Sequence, residues 1–108
     1  MRRFAALRRR SDFSRLRQRG RRVSTPTLTL YRSDAAEGDP TSLVGITVTK
    51  TIGKAVVRNK LRRRLAAIVH EALAGMPAMR LLLVARPAAA SAAFATLRAD
   101  VSSALRRE

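Results

Sequence analysis

The chain has no cysteine and no tryptophan. That excludes disulfides, thiol nucleophiles and cysteine metal sites, and it fits a reducing cytoplasm, where the protein is expected to reside. Histidine is nearly missing too. His70 stands alone, and on a basic helix it reads as a surface or partly packed imidazole rather than a general acid or base. Acidic residues number seven: Asp12, Asp34, Glu37, Asp39, Glu71, Asp100 and Glu108. A nuclease working through two metal ions needs several carboxylates brought together. Here three crowd one loop, as a solvated turn does, and the rest are scattered. No catalytic residue and no protein metal site is therefore expected. The glycines are isolated, so no glycine-rich phosphate cradle exists. No apolar run approaches the about 18 residues of a membrane-spanning helix, and no membrane partner is expected. Met1 to Arg10 is arginine-rich but lacks the apolar stretch of a secretory signal. An organellar transit peptide is an alternative, opposed by the helix that starts near Ser11. Residues 1–10 are expected to be a disordered basic arm.

Positive charge is what the chain has in excess. Of 108 residues, 23 are Lys or Arg against 7 acids, a formal net charge of +16. The chain is also 46% hydrophobic, enough for one modest core and a single domain over 1–108. Residues 2 to 22 hold ten arginines and one acid, Asp12. A second group comprises Lys50, Lys54, Arg58, Lys60, Arg62, Arg63 and Arg64, and no acid lies between Asp39 and Glu71. A helix face that only needs solubility mixes both signs, because opposite charges four residues apart stabilise it. A stretch of one sign repels itself until a polyanion neutralises it. Twenty of the 23 cations are arginine, whose planar fork matches phosphate oxygens. Nucleic acid is the leading partner class. An anionic membrane surface is the weaker alternative, and it requires helices with broad exposed apolar faces.

The periodicities predict an α+β chain. Ser11 or Asp12 caps a short helix with Phe13 and Leu16, and Gly20 ends it. Thr27 to Arg32 alternates, with Leu28 and Leu30 on one face and Thr27, Thr29 and Tyr31 on the other. Ser33 to Thr41 reads as a hairpin loop leading to a second strand, Leu43 to Thr49, with Val44, Ile46 and Val48 on a common face. Thr51 to Gly53 is a turn. From Ala55 to about Leu73, Val57, Leu61, Leu65, Ile68, Val69 and Ala72 form one helical stripe, with Asn59, Lys60, Arg62 and Arg63 opposite. Arg58 projects near the stripe and is expected in the first turn, beyond the edge of the sheet. Gly75 and Pro77 stop the helix. Arg80 to Arg86 is a continuous apolar run, as in a strand buried on both faces. A strand reached through a helix suggests parallel pairing. A last helix from about Ser91 carries Phe94, Leu97, Val101 and Leu105.

Single-stranded nucleic acid needs exposed aromatic rings as stacking platforms. The chain has four aromatics, Phe4, Phe13, Tyr31 and Phe94. Tyr31 lies on the polar face of its strand and is placed to stack. Phe13 reads equally as core or platform, and Phe94, spaced to Leu97 and Val101, reads as core.

The run GITVTKTIGKAVVRNKLRRRL, beginning at Gly45, resembles the characteristic stretch of the bacterial ribonuclease P protein family. There a strand ending in Ser/Thr-Lys leads through Gly-Lys/Asn-Ala-Val into an Arg-Asn-Arg-x-x-(Lys/Arg)-Arg helix. Asp12-Phe13, Gly20, Leu30-Tyr31, the strand ending Ala85-Arg86-Pro87 and a closing helix agree, so the resemblance covers roughly residues 7 to 106. It implies an α-β-β-β-α-β-α sandwich with a left-handed parallel crossover, like the second domain of a small-subunit ribosomal protein. It implies a monomeric protein subunit that assists a catalytic RNA in removing the 5′ leader of precursor tRNA. The RNA subunit carries the hydrolysis with Mg²⁺. By position, Lys50, Lys54, Arg58, Asn59, Lys60, Arg62 and Arg63 face the RNA subunit, while Phe13, Arg17 and Tyr31 line the leader cleft. Reversing Arg58 and Arg62 to Glu is then expected to abolish RNA-subunit binding with the fold intact. Two positions depart from the pattern. Lys60 stands where Arg is usual and loses the bidentate fork. Arg17 stands where a second aromatic is common, which shifts leader binding from stacking toward charge. Other readings are a ribosomal or DNA-architectural protein, separated by the Lys50–Arg64 motif, and an autonomous nuclease, which would cleave without RNA.

Overall fold

The structure is a computed structural model and describes residues 3–106. Its centre is β5 (Met79–Ala85), the continuous apolar run. Leu81 and Leu83 enter the main core from one face of β5, and Leu82 enters a second cluster from the other. Burial on both faces puts β5 in the middle of a five-stranded sheet, ordered β1-β4-β5-β3-β2. β4 (Ser42–Thr47) pairs with it in parallel, and β3 (Leu28–Asp34) pairs antiparallel. The expected hairpin between the two alternating strands is thus corrected. β3 and β4 are consecutive in the chain, yet the more apolar β5 lies between them. The segment from β4 through α2 (Ala55–Ala72) to β5 is the parallel crossover.

One face of the sheet is covered by α2 and α3 (Phe94–Arg106). Leu61, Leu65, Ile68 and Val69 of α2 and Leu97, Val101 and Leu105 of α3 pack there on Leu28, Leu30, Val44 and Leu83. Val57, placed on the stripe by spacing, is 38% exposed. The first turn of α2 precedes its buried stripe, which starts at Leu61. α3 starts at Phe94, and Pro87–Ser91 forms a 3-10 turn rather than the start of that helix. Phe94 is half-buried against the core, with the Arg98 guanidinium 5.1 Å from its ring centroid.

Among the described residues, the opposite face carries only α1 (Arg10–Arg19). Its N-cap is Arg9, with no side-chain cap bond, rather than Ser11 or Asp12. Asp12 instead occupies the first turn, where a carboxylate complements the positive end of the helix. Gly20 ends α1 as expected, its N–H donating to the Leu16 carbonyl. β2 (Arg21–Ser24) follows and pairs with β3 at the sheet edge.

Part of the N-terminal basic segment forms a strand. Phe4–Ala6 is β1, parallel to β4, and Leu7 is 5% exposed under α1. Arg3 anchors this strand. Its backbone N–H donates to His70 Nδ1 at 2.9 Å, and its guanidinium donates to the His70 carbonyl at 3.0 Å. His70 is thereby half-buried and engaged in structure. Met1 and Arg2 lie outside the described residues.

Candidate nucleic-acid interface

Strand register assembles the first surface. Residues paired across neighbouring strands point to the same face. Arg22 is opposite Tyr31, Tyr31 opposite Leu82, and Leu82 opposite Gly45, giving one row across four strands. The next row, toward the C-terminal ends of β4 and β5, is Ser24, Thr29, Val84 and Thr47. α1 lies on this face, with Leu16 buried beside Leu7 and Leu82, and with Phe13, Tyr31, Leu43 and Val84 partly buried around them. Phe13 rests on Gly45. A Cβ built there would stand 2.8 Å from the Phe13 ring, so the absent side chain is what lets the ring lie down. The structure therefore brings Phe13 and Tyr31 to one cluster, each half-buried with part of its surface open. Arg17, four residues after Phe13 and so on the same flank of α1, stays exposed at the margin.

Arg22 went unnoticed in the sequence. It shares the cleft face with Tyr31, but Arg21–Ser24 is too short and too basic to show alternation. Val84 and Thr47 were read only as strand residues, and no sequence signal marks them as cleft wall.

The second surface starts where β4 ends. Lys50–Ile52 forms a 3-10 turn, Thr49 and Thr51 hydroxyls bond each other at 2.7 Å, and Gly53 has φ +156° before α2 begins. That conformation disfavours any residue with a Cβ, and a Cβ there would also approach Val57 at 3.3 Å. Gly53→Ala is expected to cost about 1–3 kcal/mol of stability, measured by thermal denaturation. No change in melting temperature would show that the turn tolerates a side chain.

Seven residues predicted to face RNA lie on this turn and the first half of α2, but they divide into two kinds. Arg58 Nε donates to the Gly53 carbonyl at 3.2 Å. Arg62 donates to the Val48 carbonyl at 3.2 Å and to Asn59 Oδ1 at 3.0 Å. These three brace the helix start against the end of β4. Lys50, Lys54, Lys60 and Arg63 are exposed, with no side-chain partner among the described residues. Two ion pairs occur among the described residues, Asp39–Arg80 and Glu71–Arg98, and neither touches this surface. Val56, 79% exposed, adds an apolar contact between Lys54 and Lys60.

Carboxylates behave differently. Asp12, Asp34 and Asp39 line a hollow of about 570 Å³ between α1 and the β3–β4 connection, interleaved with Arg9, Arg15 and Arg80. Asp39 accepts from the Thr41 N–H at 2.9 Å and from Arg80 at 2.7 Å. The backbone bond first, then the guanidinium, hold its carboxyl below the usual carboxylate range. Its support of the loop is present above that range and lost as pH falls through the lowered value. Among the described residues no three His, Cys, Asp or Glu side chains converge to hold a metal ion.

The comparisons agree with this geometry. A family model described as Ribonuclease P matches residues 1–108. The ribonuclease P protein component of Acidothermus cellulolyticus is 44% identical over 102 residues, covering 94% of this chain and 85% of the relative. That of Streptomyces bikiniensis is 40% identical, covering 94% and 89%. The solved ribonuclease P protein of Thermotoga maritima superposes with a TM-score of 0.80 at 25% identity, covering 95% of this chain and 96% of that one. The basic turn-helix motif, the bare face beside α1 and a match running the full length agree, and the chain belongs to the ribonuclease P protein family.

Proposed function

We propose that the two surfaces divide the labour of tRNA 5′ processing between two RNAs. As a ribonuclease P protein component, the chain works with an RNA subunit in the ribonucleoprotein endonuclease that matures tRNA 5′ ends. The four unpartnered cations Lys50, Lys54, Lys60 and Arg63, braced by Arg58, Asn59 and Arg62, engage the RNA subunit. The cleft beside α1, with Phe13, Tyr31, Arg17 and Arg22, takes the single-stranded leader of precursor tRNA. Stacking on Tyr31 and Phe13 tolerates any base, and the arginines meet the phosphates.

The observation that carries this reading is the uneven cover of the sheet. Two helices close one face, while the other has, among the described residues, a single short helix and leaves half-buried rings beside the row Ser24, Thr29, Val84 and Thr47. That row lies at the end of the sheet where β4 runs into the basic turn, so leader and RNA subunit meet the protein side by side.

Magnesium belongs to the RNA subunit in this scheme, and it supplies activation of water and stabilisation of the leaving oxygen there. The protein neutralises repulsion between two polyanions and holds the leader. The protein is a monomer outside the ribonucleoprotein, and it works in the cytoplasm, a placement that the lack of cysteine supports.

Tyr31→Ala tests the cleft. Binding of leader-bearing precursor to the holoenzyme is expected to weaken by about 1–3 kcal/mol, the worth of one stacked base. Mature tRNA, with no leader, is expected to bind unchanged. Equal losses for both would move Tyr31 out of the cleft.

A further inference from the structure

A small groove on the far side of the sheet from the leader cleft has no role in that scheme. It holds about 260 Å³ between the β1–β4 edge and α2, lined by Phe4, Ala6, Ile46, Ala66, Arg62 and Arg63 among others. Its floor is apolar, and two arginines stand on its α2 side. The volume falls just below the roughly 300–1,000 Å³ of drug-sized ligand sites.

The sheet edge beside it is unfinished. β1 ends at Ala6, and the last bond to β4 is Leu7 N–H to the Val44 carbonyl at 2.9 Å. Backbone groups of alternate residues point to the same edge, so Ile46 turns its N–H and carbonyl outward just where β1 has departed. Val48, the next such residue, has its carbonyl taken by Arg62. The groove thus combines an apolar floor, one outward donor–acceptor pair, and Arg63, exposed and without a side-chain partner among the described residues.

We infer that this groove receives a single unpaired nucleotide of the RNA subunit. A nucleobase is flat and apolar on its faces and carries donors and acceptors on its edge, which the Ile46 backbone meets. Its phosphate lies within the field of Arg63 and Arg62. Proteins that read single-stranded RNA splay bases in this way, with an apolar contact for the face and hydrogen bonds for the edge. The RNA subunit is the source because Arg62 and Arg63 continue onto the cationic surface of α2, whereas the leader cleft opens on the other face. The inference rests on the two-surface reading above and names a particular contact within it.

Ala6 is exposed on the rim, so Ala6→Trp fills the groove without disturbing the core. The experiment is base-specific chemical probing of the RNA subunit, bound in turn to the unsubstituted protein, Ala6→Trp and Arg63→Ala. The unsubstituted protein is expected to protect one unpaired base that Ala6→Trp leaves reactive, with all other protections retained and affinity lowered about tenfold. Arg63→Ala is expected to weaken the same protection. Identical protection patterns for the unsubstituted protein and Ala6→Trp would overturn the inference. So would a leader base, rather than one of the RNA subunit, answering to Ala6→Trp when the precursor tRNA is probed in the same holoenzymes. Absence of any protection by the unsubstituted protein would instead defeat the two-surface reading, and the groove with it.

Discussion

Replacing Lys54, Lys60 and Arg63 together with Glu is expected to lower affinity for the RNA subunit by on the order of 100-fold or more while the protein stays folded. The three side chains are exposed and bond to nothing in the described chain, so their removal leaves no buried group unpaired. Each phosphate contact contributes roughly 0.7 to 0.9 to the slope of log affinity against log salt. Losing three contacts is therefore expected to flatten that slope by about 2 to 3. A salt titration of binding reads both quantities at once. An unchanged slope would mean that these cations do not touch phosphate. Arg58 and Arg62, the natural choice from sequence, are poorer probes. Their bonds to the Gly53 and Val48 carbonyls hold α2 on the end of β4, so their reversal disturbs the fold as well as the interface.

The second large effect lies beneath the leader cleft. Leu82 is fully buried at the centre of β5 and, with Leu7 and Leu16, forms the small cluster on which α1 sits. Leu82→Ala is expected to cost about 2–5 kcal/mol of stability, because α1 is too lightly attached elsewhere to collapse into the space. Leu82→Met, which keeps volume, is expected to cost under about 1.5 kcal/mol. Urea denaturation of both variants gives the comparison. Since Phe13 and Tyr31 pack on the same cluster, Leu82→Ala is also expected to impair leader binding under conditions where the protein is still folded. A loss near zero would show that α1 is held by contacts other than this cluster.

The parts of the molecule that depend on burial were legible in the chain. Leu81 to Leu83 form an unbroken apolar run because β5 is covered on both faces. The alternation around Leu28 and Leu30 reports a strand with two unlike faces. α2 was legible twice over, since its stripe from Leu61 to Val69 and its cations occupy opposite sides. What failed to show was the outcome of pairing between distant segments. β1 and β2 are three and four residues long, sit at the two sheet edges, and are embedded among arginines, so neither has a periodicity to read. The order that puts β5 between β3 and β4 is a competition for the most buried position, and local turn chemistry at Gly38 and Pro40 says nothing of it. Among the site residues, type and neighbourhood were legible, while the bonds by which Arg58, Asn59 and Arg62 brace the helix start emerge only in the fold. Arg22 and Val56 acquire meaning only through register and exposure.

The division between protein and RNA is tested most directly by reconstitution. The protein, its cognate RNA subunit and a leader-bearing precursor tRNA are assayed for 5′ cleavage at low Mg²⁺. Cleavage is predicted to require both subunits under that condition, with the protein alone inactive and the RNA alone rescued by raising Mg²⁺. Binding of both RNAs by the protein with no gain in cleavage would contradict the account, and so would cleavage by the protein alone.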